Sequence, residues 1–153
     1  MGDVRTAKRF LRKIREEQGE IRILEGKREE IRLSLLPPGI RYDRERVQAS
    51  PMDALPERVA RMCEIDEEIA SHLRELNRRR ARAMGMIRRI EKSTYRLVLE
   101  TYYLALKEDG RAMRWEDVAR VTGYSEQAVK WTHGRALEKF GEVMDEKPGD
   151  ENF

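Results

Sequence analysis

Six side chains with nucleic-acid chemistry fall close together near the C-terminus: Ser125, Glu126, Gln127, Lys130, Trp131 and Arg135. A glutamine amide matches the donor and acceptor pair of adenine, a lysine reaches guanine or a phosphate, and a glutamate accepts from the cytosine amino group. Glu126, Gln127 and Lys130 are therefore candidate base readers. Ser125 and the free amides of a helix start suit a phosphate, and Arg135, further along, suits the sugar-phosphate backbone. Trp131 has two possible placements, against the preceding helix or on the DNA sugars, and the aromatic-core placement is the one expected.

Such residues work only if a helix presents them at its start, after a sharp turn. Residues 115–137, W-E-D-V-A-R-V-T-G-Y-S-E-Q-A-V-K-W-T-H-G-R-A-L, contain the means. Gly123 takes a positive φ without steric cost, so a first helix can stop at Thr122 and the chain can reverse. Ser125 is a good N-cap for the second helix. Ala119, beside Val118, is the small residue that lets one helix cross the other. Val129, Ala136 and Phe140 then fall on the inner face and leave Gln127 and Lys130 outward. This is the pattern of a helix-turn-helix that enters the major groove.

The run from Val118 to Leu137 resembles region 4 of the sigma-70 family of RNA polymerase factors without a gap. The matching pieces are V-A at 118–119, G-Y-S at 123–125, V-K at 129–130 and R-A-L at 135–137. T-Y-R-L-V-L-E-T-Y-Y, residues 94–103, is similar to that family's first region-4 helix, expected here over 94–106. In addition, R-V-Q-A-S at 46–50 and H-G-R-A-L at 133–137 resemble small prophage proteins grouped with the ArpU- and RinA-type phage late transcription regulators. The resemblance implies phage or prophage origin, double-stranded DNA as partner and a role in switching transcription, with a contact to RNA polymerase left open. One departure is L-A-L-K-E-D-G-R-A-M-R, residues 104–114, longer than region 4 places there. An extra turn of helix and a surface loop are expected, with Arg111 and Arg114 as solvated charges or phosphate contacts.

The scaffold in front of this segment is charged and periodic. Of 153 residues, 40% are charged and 39% hydrophobic, a balance that suits long exposed helices. Phe10, Ile14, Ile21, Leu24, Ile31 and Leu35 recur at helical spacing over residues 4–36, and Pro37-Pro38-Gly39 ends that helix. Leu55, Val59, Met62, Ile69, Leu73, Leu76, Ala83, Ile87 and Ile90 mark a second helix over 52–91. At lengths of roughly 50 and 60 Å, the two most simply fold back across the loop at 37–51 as a coiled-coil-like antiparallel hairpin. Glu17, Arg28, Asp66 and Arg80 interrupt the seam; they could set its register or pair with a second chain, so a homodimer or higher homo-oligomer is expected over a monomeric hairpin packed on the C-terminal domain.

The expected fold is therefore all-α: a helical hairpin over 1–92, a helix-turn-helix domain over 93–141 and an acidic tail over 142–153. From Thr94 to Gly141 eight basic residues face seven acidic ones, a net of +1 that predicts weak binding by a single copy. The densest basic run, R-R-R-A-R at 78–82 with Arg88 and Arg89, is either a phosphate contact or a solvated helix face pairing with residues such as Glu75. The apolar runs are too short to span a bilayer and the start lacks the apolar stretch of a secretion signal, so no membrane partner and a cytoplasmic place in a bacterial host are expected. A lone Cys63 and the scattered His72 and His133 predict no disulfide, metal or other cofactor. With no phosphate loop, nucleophile elbow or paired carboxylates, no enzyme is expected. Two function classes follow, a DNA-binding transcription regulator and a phage small-terminase-like packaging or assembly protein.

Overall fold

The computed structural model describes residues 3–37 and 51–146, the side chains of 51–53 excepted. The regular elements among them are helical: α1 (Val4–Ser34), α2 (Pro51–Ile87), α3 (Ser93–Leu99), a π-helical segment (Glu100–Leu104), α4 (Trp115–Thr122) and α5 (Glu126–Asp145). The all-α expectation holds. None of these helices is long and apolar enough to cross a membrane. The motif at 46–50, most of the loop at 37–51 and the tail beyond 146 lie outside the described residues.

Sequence sets the helix limits locally. Asp3 caps α1, its carboxylate accepting from the Arg5 amide at 3.0 Å. Pro51 occupies the first position of α2, where a missing N–H is harmless. At the other end α2 stops at Ile87, short of the expected residue 91. Neither proline nor glycine marks that stop. Instead the Arg96 guanidinium, on α3, donates to the Ile90 and Glu91 carbonyls and holds the turn between the helices.

The contacts divide the chain into two compact units, Gly19–Glu75 and Met1–Gln18 with Leu76–Phe153. The division expected from sequence falls near residue 92; by contacts, the first turns of α1 and the last of α2 go with the C-terminal helices.

In Gly19–Glu75 the buried apolar side chains are Ile21 and Leu24 of α1 and Ile65 of α2. Ile65 is missing from the expected series, whereas Leu55, Val59 and Leu73, which belong to it, are more than two-fifths exposed. The reason is a slip of one position. Steps of three and four from Met62 run through Ile65, Ile69 and His72 to Leu76, so His72 takes the seam and Leu73 sits about 100° further round. Arg28 and Asp66 pair with each other within one chain. Arg58 Nη1 donates to the carbonyl of Ser34, the last residue of α1, at 3.1 Å.

In the other unit Ala7, Leu11 and Ile14 of α1, Ala83 and Ile87 of α2, Val98 and Leu99 of α3, Tyr103, and Phe140 of α5 are at most 1% exposed. Phe10 packs on Phe140 with ring centroids 5.9 Å apart, and the Arg82 guanidinium lies 5.5 Å from the Phe10 centroid. The helix expected over 94–106 is α3 continued by the π-helical turn, and it ends at Leu104. The extra segment is no further helical turn: an antiparallel bridge between Leu106 and Ala112 closes a tight loop, with Gly110 at φ 83° and its amide on the Lys107 carbonyl. Its tip is exposed, and Arg111 pairs there with Asp109 at 3.5 Å.

The π-helical segment is held from both sides. Arg15 Nη1 on α1 donates to the Tyr102 carbonyl at 2.6 Å and to the Met113 carbonyl at 2.9 Å, while Arg80 Nη1 on α2 donates to the Leu104 carbonyl at 2.6 Å. Arg80, expected to disturb the seam, serves a helix end instead. Its run is only partly a solvated face, because Arg82 covers Phe10 and Arg89 pairs with Glu146.

A charged donor on a partly buried carbonyl contributes about 1.5–3 kcal/mol. Arg15→Ala should therefore lower unfolding stability by about 2–3 kcal/mol, and Arg15→Lys should recover little of it, because lysine supplies neither the planar donor nor the stacking surface. Urea unfolding followed by circular dichroism measures both; a loss below about 0.5 kcal/mol, the range of ordinary surface changes, would show that the clamp does not hold the segment. Gly26 lies exposed in α1, and a Cβ there meets no atom within 4 Å. Gly26→Ala should add up to about 1 kcal/mol in the same experiment, and a loss would mean that this face packs against a second chain.

Candidate nucleic-acid interface

α4 ends where a glycine permits it. Gly123 sits at φ 78°, ψ 8° and its amide bonds the Ala119 carbonyl at 2.9 Å. Thr122 reinforces the stop, its hydroxyl donating to the Val118 carbonyl at 2.7 Å and accepting from the Tyr124 amide at 3.3 Å. Ser125 then caps α5, its Oγ accepting from the Ala128 amide at 3.1 Å. At the other end of α4 the buried Asp117 accepts from the Arg114 amide at 2.9 Å and faces Lys107 at 3.8 Å and Arg120 at 3.5 Å.

The inner face of α5 carries Val129, Thr132, His133, Ala136, Leu137, Phe140 and Val143, all buried. Val129 closes on Val98 and Val118, with Tyr102, Met113, Trp115, Ala119 and Tyr124 packed round them. The expected inner positions Val129, Ala136 and Phe140 are all here. Outside stand Ser125, Glu126, Gln127, Lys130, Trp131 and Arg135. Among the described residues Glu126, Gln127 and Lys130 have no hydrogen-bond or ion-pair partner, so their polar ends are free. Arg135 pairs with Glu138 at 3.6 Å.

Trp131 is not in the core. It is 61% exposed, with the Arg135 guanidinium 5.4 Å from its ring centroid. The periodicity carries the reason: two residues past Val129 is about 200° round the helix, on the side opposite the buried stripe. Trp131 therefore joins the outward row.

Behind α5 lies an aromatic group that sequence reading did not assemble. Tyr102 stacks on Trp115 at 3.9 Å and 3°, and the Arg15 guanidinium covers its other face at 4.1 Å. His133 meets Trp115 edge-on at 4.7 Å, and its Nε2 shares a 2.7 Å hydrogen bond with the Tyr103 hydroxyl. Burial raises the Tyr103 phenol well above its usual range, so it stays protonated. Burial also lowers the His133 pKa from 6.5 to about 4, with the nearby Lys8 charge adding to the shift. The only trace in sequence was the density of aromatic residues at 102, 103 and 115, without partners.

Comparison with protein-family models, curated proteins and solved structures finds no match to this chain.

His133 makes the fold sensitive to acid. The unfolded chain takes up a proton near pH 6.5, the folded one only near 4, so over that interval the unfolded state binds more protons. The histidine contribution is complete above about pH 6.5 and is lost as pH falls toward 4, by at most about 3 kcal/mol. Measured by urea unfolding, the stability advantage of the native chain over His133→Gln should shrink by up to that amount between pH 7 and 4. An advantage independent of pH would show that the folded imidazole ionises normally.

Proposed function

We propose that this chain is a sequence-specific DNA-binding transcriptional regulator of phage or prophage genes, acting in the cytoplasm of a bacterial host. α4 and α5 form its helix-turn-helix, of the sigma region-4 type, and α5 reads the major groove from Ser125 onward. The observation that carries this reading is the outward row of α5. Glu126, Gln127 and Lys130 sit in the first turns after a capped start, exposed and without partners, over a face that is buried from Val129 to Val143. Gln127 pairs with adenine, Glu126 accepts from cytosine, and Lys130 takes guanine or a phosphate. Ser125 and the first amides of α5 meet a phosphate, Trp131 lies along the sugars and Arg135 holds the backbone.

α1 and α2 form an antiparallel hairpin in this reading. Its support within Gly19–Glu75 is that partners fall in α2 as they rise in α1, Arg28 with Asp66 and Ser34 with Arg58. Leu55, Val59, Leu73, Ile23 and Leu33 remain exposed there, apolar surface that suits a second copy. The second copy brings a second reading helix to a head with little net charge of its own. A contact with RNA polymerase belongs to the same reading.

Replacing Gln127 and Lys130 together by alanine should abolish sequence preference, at about 1–3 kcal/mol per lost base contact, with helical content unchanged. Selection of bound sequences from a random DNA pool, followed by binding curves at fixed salt, measures this; an unaltered preference would mean that another face reads DNA. Light scattering adds a second arm. A dimer accords with the regulator, whereas a ring of eight or more subunits would replace it with a terminase-like packaging protein.

A further inference from the structure

A cleft of about 510 Å³ opens beside the aromatic group, on the side of α5 away from its outward row. Lys8, Arg12, Arg15 and Glu16 line it from α1, Tyr102 and Tyr103 from the π-helical segment, Trp115 from α4 and His133 from α5. Its volume lies in the range of about 300–1,000 Å³ usual for small-ligand sites.

Its charge is one-sided. Three cations face one carboxylate, and His133 stays neutral at physiological pH. Arg15 is occupied by two carbonyls and by the Tyr102 ring. Lys8 and Arg12 are not: among the described residues neither has a hydrogen bond or an ion pair, and both are exposed one helical turn apart on the same face of α1. Two free cations a turn apart fit the oxygens of one phosphate group. The rest of the lining is made of rings, Trp115 edge-on to His133 and stacked on Tyr102.

The segment that builds this wall is itself unusual. A π-helical turn brings Tyr102 and Tyr103, neighbours in sequence, to the same cleft, and such turns recur at functional sites. The cleft is lined by the inner residue His133, whereas Gln127, Lys130 and Trp131 point outward, so a duplex on the outward row leaves it free.

We propose that this cleft binds a small phosphate ester carrying a planar ring, a nucleotide in chemical class, with the phosphate on Lys8 and Arg12 and the ring against the edges of Tyr102 and Trp115. The site is separate from the candidate DNA-reading face. A ligand there touches α1, the π-helical segment, α4 and α5 together, and so is placed to favour one setting of α4 and α5.

The chain has two tryptophans, and Trp131 is exposed, so Trp131→Phe leaves Trp115 as the sole tryptophan reporter in a folded full-length protein. Its fluorescence is titrated with the four ribonucleoside monophosphates, their nucleosides and inorganic phosphate. At least one nucleotide should give a saturable change with Kd at or below about 1 mM, about tenfold tighter than its nucleoside or inorganic phosphate. Adding Lys8→Ala and Arg12→Ala should weaken that affinity about tenfold or more while melting temperature and helical content hold. Three results would overturn the proposal: no saturable change with any nucleotide, inorganic phosphate binding as tightly as the nucleotide, or affinity untouched by the double substitution.

Discussion

Helix ends leave carbonyls without an intrahelical partner, and in this chain arginines of other elements take several of them. Arg58 reaches the end of α1 at Ser34, Arg80 the end of the π-helical segment at Leu104, Arg96 the turn after α2, and Arg15 both Tyr102 and Met113. A guanidinium is suited to this because it stays charged, offers several donors in one plane and can stack as it bonds. The high charge content thus does more than solvate long helices. Several cations hold the backbone of one element to the side chain of another.

Arg15 shows how far one such contact extends. Its bond to the Tyr102 carbonyl holds the π-helical turn, its bond to Met113 fixes the chain just before α4, and its plane lies on Tyr102, which lies on Trp115 at the start of α4. Trp115 and Tyr103 in turn confine His133, so the middle of α5 is set by the same contacts. A neutral imidazole and a protonated phenol can share a short bond in that buried place, where either charged form would be destabilised. The outward row of α5 is placed by an inner row that is anchored in this way.

What was legible in the sequence was local. The Gly123 turn, the Ser125 cap and the inner series Val129, Ala136 and Phe140 follow from backbone preference and helical period within a few residues, and all are found in place. Periodicity did less well where it was diluted. In α2 a histidine at the seam and a leucine beside it moved the reading by one position and hid Ile65, and for Trp131 the size of the ring outweighed its angular position. The arginine contacts were beyond such reasoning, since Arg15 and Met113 are 98 residues apart and nothing near either marks the other. The π-helical turn was hidden for the same reason, because its two arginine contacts come from α1 and α2. The R-V-Q-A-S motif lies outside the described residues.

These contacts bear on how the proposed regulator would bind. The run at 78–82 is open in sequence to either a phosphate contact or a solvated face, but Arg80 is committed to a carbonyl and Arg82 to a phenylalanine ring, while nearby Arg89 faces Glu146. On α5 the exposed cations are Lys130, Arg135 and Lys139, and the last two already pair with Glu138 and Glu142. Non-specific affinity grows with the number of phosphates neutralised, so one copy of the proposed head would hold DNA weakly and with a shallow salt dependence. The base-edge contacts proposed for Glu126, Gln127 and Lys130 would then make up a large share of the binding. A head built that way would discriminate well between sites but rest lightly on any one of them, and two copies acting on adjacent half-sites would supply the missing affinity.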